Sequence, residues 1–319
     1  MTILYFVAYS FCYMVSLLPF WVLYRISDLF YVLLYHIIKY KRKVVRNNLR
    51  ISFPQKGENE ILAIEKKFYA FLCDQFVETI KLCSITEKGI NKRMAFERLP
   101  EMVSELENEN KNFAFLYMGH YGNWEWLSLL ATKVQEHNSK MVNGYIYYPL
   151  KNKIFDRILL KLRNRLGGKS IAIKDTIRRI IELEENSRKA IIAFVSDQAP
   201  LWSGKYHWSY FFQWETPVFT GAEQMGKHVD ALIFYAEMER TRRGYYRCTI
   251  SRMVNDIQQH ADYEVTDLFM RKLECTINKA PSYWLWTHDR WIRTREEIIV
   301  WYRQFTHKKE YCLLYTSPS

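Results

Sequence analysis

"FAFLYMGHYGNWEWLSLLATKV", Phe113 to Val134, joins a short apolar run to an amphipathic one through a turn holding a histidine and, five residues on, a glutamate. The spacing predicts strand, turn and helix: six apolar residues are strand length, Asn123 is a helix-capping residue type, and apolar residues then recur at three- and four-residue intervals. His120 is thereby expected at the carboxyl end of a strand, the edge where open α/β sheets place ligands. Glu125 is expected in the first helical turn, within reach of one ring nitrogen of His120. Such a contact fixes the tautomer and leaves the other nitrogen a base able to deprotonate a hydroxyl. A capping acid beside a structural histidine is the alternative, and spacing alone does not separate the two.

Outward from this unit the alternation continues. "MVNGYIYY" at 141 to 148, "KAIIAFVS" at 189 to 196, "ALIFYAEM" at 231 to 238 and "YYRCTISRMV" at 245 to 254 are further expected strands. Helical periodicity marks "ENEILAIEKKFYAFLCDQFVETIKL" from Glu58, "NKIFDRILLKLRNRL" from Asn152 and "TIRRIIELEE" from Thr176. The expected fold is α/β with a central, largely parallel sheet flanked by helices, its last two strands forming a hairpin.

The N-terminus is different. Ile3 to Tyr24 carries no charge over 22 positions, enough as a helix for a hydrocarbon core of ~30 Å, with a kink expected at Pro19. No Lys or Arg precedes the run and no small-residue cleavage site follows it, so it reads as an anchor rather than a cleaved leader. Ile26 to Ile38 is a second apolar stretch, and Lys39, Lys41, Arg42, Lys43, Arg46 and Arg50 follow as a basic cluster without an acid. With a net charge of +12 and 16% aromatic residues, this pattern fits an anionic membrane surface better than nucleic acid. The expected organisation is anchor and basic segment over 1–50, catalytic domain over 51–305 and an irregular tail over 306–319, whose "CLLYTSPS" resembles translated adaptor sequence more than protein. The six cysteines are scattered without a CxxC and fit buried thiols rather than disulfides or a zinc site. No HExxH, GxSxG or GxGxxG occurs, and "GAEQMGKH" from Gly221 reads as a helix rather than a phosphate loop, because His228 stands where a magnesium-binding hydroxyl belongs. No metal or cofactor is called for.

HxxxxE after an apolar strand on a basic, membrane-anchored chain resembles the HxxxxD/E block of glycerolipid-type acyltransferases. "RKVVRNNLRISFP" from Arg42, "GHYGNWEW", "RNRLGG" from Arg163, "SDQAP" from Ser196, "TPVFTGAE" from Thr216 and "YWLWTHDRWIR" from Tyr283 then follow, in order, the pattern of bacterial lipid A biosynthesis lauroyl/myristoyl acyltransferases. The resemblance implies an inner-membrane enzyme, its catalytic domain facing the cytoplasm, that moves an acyl chain from acyl carrier protein to a hydroxyl of a lipid A precursor or related glycolipid. It implies His120, Glu125 and Arg163 as catalytic residues. Arg163 would offer a planar cation to phosphate or oxyanion, though a cation closing a helix before a glycine turn is the plainer reading. Asn123, Arg165, Asp197 and Gln198 are candidate substrate-binding residues, with Asp197 and Gln198 expected to position the acceptor or hold Arg163. An acyltransferase for another lipid, such as an aminolipid, and a non-catalytic lipid-binding protein are the alternatives. The aromatic stretch "LWSGKYHWSYFFQWETP" departs from the family pattern, and no role is assigned to His288, Asp289 and Arg290.

Overall fold

The computed structural model describes residues 2–200 and 206–297. The chain runs α1 (Thr2–Leu17), α2 (Phe20–Tyr31), α3 (Arg42–Ser52), α4 (Glu58–Lys81), α5 (Glu87–Asn91), β1 (Met94–Glu97), α6 (Leu99–Asn108), β2 (Phe113–Met118), α7 (Leu130–His137), β3 (Val142–Tyr147), α8 (Lys153–Asn164), β4 (Lys169–Ala172), α9 (Thr176–Glu185), β5 (Ala190–Val195), β6 (Tyr206–Phe211), β7 (Trp214–Phe219), α10 (Gly221–His228), β8 (Leu232–Arg242), β9 (Tyr245–Val254) and α11 (Glu264–Lys279). Seven strands form one sheet in the order β1-β9-β8-β2-β5-β3-β4. Only the β8–β9 hairpin is antiparallel within it. All six residues of β2 are buried, as a strand covered on both faces requires.

The five strands read from the sequence are all present. The edge strands β1 and β4 are additions of four residues each, too short to show a period. The aromatic stretch contributes a separate antiparallel pair, β6–β7, while residues 201–205 of it, like the tail from 298 and Cys312, lie outside the described residues. Cys73, Cys83 and Cys248 are buried free thiols, Cys12 is half-buried, and Cys275, against expectation, is exposed.

The N-terminal reading needs correction. Proline has no N–H to continue a helix, so the chain breaks at Leu18–Pro19, and α2 starts afresh at Phe20. A seven-residue π-helical continuation, Val32–Ile38, prolongs it until Lys39 enters the left-handed region at φ 56°. Among the described residues, the helix long and apolar enough to cross a membrane is therefore Phe20–Ile38, 19 residues, rather than Ile3–Tyr24. One side of α2 is fastened to α4: Leu23 is buried, the Ser27 hydroxyl donates to Asp74 at 2.7 Å, and the Tyr24 hydroxyl donates to Glu78 at 3.0 Å. The other side presents Trp21 and Leu29, each 71% exposed.

The basic cluster is also partly internal. Arg42 and Arg46 both pair with the fully buried Glu65, Arg50 forks Glu58, and the Lys41 ammonium donates to the Thr287 carbonyl at 3.1 Å. Four of the six cations thus help fasten α3 and its neighbours to the body. Asn48 of α3 adds two bonds, donating to the carbonyls of Trp286 and His288 at 3.0 and 2.7 Å.

Candidate active site

β2 and β5 are parallel neighbours with Met118 opposite Val195, so the residues just beyond them meet at one carboxyl edge. His120 follows β2 and Asp197 follows β5. The chain turns tightly between them. A Cβ on Gly119 would stand 2.6 Å from Leu273 Cδ1, and Gly122, at φ +61°, would place one 2.4 Å from Met238 Cγ. Only glycine permits both the approach and the left-handed turn at 122. The segment after α11 closes the turn from the other side, Leu285 N–H donating to the His120 carbonyl at 3.1 Å and Gly122 N–H to the Tyr283 carbonyl at 2.9 Å. Tyr121 and Trp284 form an antiparallel bridge between these two bonds.

Asp197 gathers three donors. Its Oδ1 lies 2.6 Å from His120 Nδ1. Its Oδ2 accepts the His120 backbone N–H at 2.9 Å and the Trp284 indole N–H at 2.7 Å. Burial pushes the Asp197 carboxyl up, but the charge and hydrogen bonds of His120, joined by Trp284, outweigh it and hold the group at about 2. An ionised carboxylate only accepts, so Nδ1 carries the proton and Nε2 is the basic nitrogen. Nε2 has the Gln198 amide nitrogen 3.4 Å away, and Trp124 stands edge-on to the ring at 5.1 Å. A histidine held by an acid, with one ring nitrogen left basic beside an indole, has the chemistry to take a proton from a hydroxyl.

Glu125 does something else. Its two oxygens take a bidentate fork from Arg163 at 2.7 and 2.6 Å, with the Trp124 indole N–H at 3.2 Å on Oε1. The direct Glu125–His120 bond expected from spacing is replaced by the His120–Asp197 pair. The cause is local: α8 brings a planar guanidinium against the carboxylate and occupies both oxygens, while His120 turns toward the end of β5. Burial pushes the Glu125 carboxyl up, yet Arg163 overcomes it and lowers the net value, with His120 a smaller contributor. Arg163 shifts the other way: burial lowers it and Glu125 more than restores it. The ion pair is thus charged on both sides, and the fork uses two of the five N–H groups of an arginine.

The other candidates separate. Asp197 holds His120 and not Arg163. Gln198 stands beside the basic nitrogen. Asn123 is fully buried, its Oδ1 accepting Trp126 N–H at 3.3 Å as a cap while its Nδ2 donates to Glu78 at 2.7 Å, so it sits beneath the surface that a substrate would meet. Arg165 points away, donating to the carbonyls of Leu82 and Ile85 at 2.9 and 2.7 Å, because the end of α4 leaves orphan acceptors there. His288 accepts the Ala199 N–H on Nε2 at 3.0 Å, and burial lowers it to about 4, so it is a neutral brace for the loop after Asp197. Arg290 is buried, and desolvation lowers it to about 10.

Two residues of this neighbourhood were not singled out as functional candidates by sequence reasoning. Trp284 lies inside the quoted "YWLWTHDRWIR", but tryptophan at a protein core carries no mark of a hydrogen-bond duty. Glu78 sits in a helix whose period reads as ordinary amphipathicity. It is fully buried, accepts from Tyr24, Tyr246 and Asn123, and burial raises it to about 7.

The family model for the bacterial lipid A biosynthesis acyltransferases matches residues 1–293, a span that contains the N-terminal apolar helices, the sheet and each side chain of the site. No curated protein matches the chain significantly. With this span covering nearly the whole chain, the protein belongs to the bacterial lipid A biosynthesis acyltransferase family.

Proposed function

We propose that this acyltransferase moves a fatty acyl chain from acyl carrier protein to a hydroxyl of a lipid A precursor, with His120 as general base. The observation that carries the reading is the His120–Asp197 pair at 2.6 Å, which leaves Nε2 as the acceptor nitrogen at the carboxyl edge of the sheet. Nε2 takes the proton of the acceptor hydroxyl as its oxygen attacks the thioester carbonyl. Asp197 stabilises the imidazolium, and the N–H groups of Arg163 not used by Glu125 meet the oxyanion or a phosphate of the acceptor. Collapse of the tetrahedral intermediate expels the donor thiolate, which takes the proton from the imidazolium. No acyl-enzyme forms. Glu125 acts through Arg163, fixing its plane.

The apolar Phe20–Ile38 helix supports residence at a membrane, and the basic residues Lys39 to Arg50 that follow it support a cytoplasmic catalytic body on the inner membrane. Incubating purified full-length protein with acyl carrier protein thioesters and lipid A precursors, read by mass spectrometry, tests the reading. An acceptor gaining one acyl mass is the expected result. Transfer only to a different lipid, or none, would overturn it.

A further inference from the structure

The carboxyl edge of the sheet carries a second apolar surface, distinct from that of the Phe20–Ile38 helix. β3 and β4 are parallel neighbours with Tyr147 opposite Ala172, so the residues that follow each strand emerge side by side at the edge that also holds His120. After β3 come Tyr148, Leu150 and Phe155, exposed at 60, 41 and 55%. After β4 come Ile173 and Ile177, exposed at 43 and 65%. Exposed Lys151, Lys153, Lys174 and Arg178 interleave with them. The nearby acids are spent locally, Asp156 accepting the Leu150 N–H at 2.7 Å and Asp175 pairing with Arg178 at 3.2 Å.

A mixed apolar and cationic surface of this kind fits an anionic bilayer interface, where apolar side chains enter the acyl boundary and ammonium groups meet phosphates. The apolar N-terminal helix packed beside it favours lipid over a protein partner. α1 lies along α8, with the Arg157 guanidinium 4.2 Å from the Tyr5 ring and the Lys161 ammonium 3.7 Å from the Tyr9 ring. On the open side of α1, Phe6 is 56% exposed. α1, an exposed apolar helix, thus packs against the same α8 whose first turn carries Phe155.

We propose that the edge formed by Tyr148–Phe155 and Ile173–Ile177 is a second membrane-seating surface that turns the His120 edge toward anionic lipid. The acceptor then reaches the base laterally from the bilayer. This inference rests on the membrane reading above, and not on the chemistry.

Hydroxyl-radical footprinting of the full-length protein in phosphatidylglycerol-containing vesicles tests it without needing turnover. Phe6 reports the N-terminal apolar helices, and the exposed His137 at the end of α7 reports the aqueous body. The expected result is that Tyr148, Leu150, Phe155, Ile173 and Ile177 oxidise at least about fivefold more slowly than in vesicle-free protein, together with Phe6, while His137 is unchanged. Charge reversal by Lys151→Glu with Lys174→Glu should restore most of their oxidation and leave Phe6 protected. Protection of Phe6 alone would overturn the proposal and spare the anchor. Loss of protection at Phe6 as well would overturn both. Protection of the edge that needs no vesicles and grows with protein concentration, or that appears only on adding acyl carrier protein, would assign the surface to a second copy or to that protein and equally overturn it.

Discussion

Asp197 receives the imidazole of His120 on one oxygen, at 2.6 Å, and the backbone N–H of the same residue on the other, at 2.9 Å. One carboxylate thus fixes both the ring and the chain that carries it. Asp197→Asn keeps the shape but presents an amide able to donate to Nδ1, which favours the wrong tautomer. Turnover should fall by about 10²–10⁴-fold, with the acceptor KM little changed. Steady-state kinetics of the variant check this, and a loss below tenfold would remove Asp197 from the mechanism.

Trp284 is expected to act through Asp197. Trp284→Phe keeps the ring packing and deletes the indole N–H that donates at 2.7 Å. The lost bond should cost about 1–2 kcal/mol of stability, because a buried carboxylate oxygen loses a donor. Turnover should fall about tenfold and its pH profile should move, since Asp197 is then easier to protonate. An unchanged profile would make Trp284 a packing residue alone.

Glu125 and Arg163 should behave as one unit. Glu125→Gln strands a largely buried guanidinium and Arg163→Met strands a buried carboxylate, so each alone should destabilise the fold by about 3 kcal/mol and impair turnover. The double variant should be less damaged than the sum of the two, as measured by denaturant unfolding. Additive losses would contradict the fork. Arg163→Lys keeps the charge without the planar fork and should retain more stability than activity.

Glu78 supplies a pH dependence of stability. Burial raises its folded value from 4.5 to about 7, so across that window the folded protein holds a proton that the unfolded chain has released. Its contribution is full below about 4.5 and declines as pH rises through 7, with a slope of up to about 1.4 kcal/mol per pH unit. Glu78→Gln should flatten that decline, and melting temperatures between pH 5 and 8 for both proteins would reveal it. Parallel curves would contradict the assignment.

Much of this was legible in the chain because the signals were local. "FAFLYM" and "YYRCTISRMV" are apolar runs that became β2 and β9, and "TIRRIIELEE" became α9 with its boundaries intact. Asn123 was readable as a cap because capping depends on the next three residues. What failed was pairing at a distance. His120 and Glu125 are five apart, so the sequence invites a bond between them. The true partners lie 77 residues on for His120 and 38 for Glu125, set by strand order and by the course of α8. Arg165 shows the same limit, since only the folded chain reveals the carbonyls of Leu82 and Ile85 beneath it. The Phe20–Ile38 span was hidden because Arg25 and Asp28 interrupt its apolar run, and in the fold Asp28 is neutralised by Arg243 at 2.6 Å.

Every step of the mechanism depends on His120 taking the acceptor proton. Turnover of purified His120→Ala protein, measured by mass spectrometry beside its melting temperature, tests it most directly. A fall of at least about 10²–10⁴-fold with melting nearly unchanged is the predicted result, because the side chain is partly open and its loss leaves the sheet intact. Substantial acyl transfer by a well-folded His120→Ala protein would contradict the account.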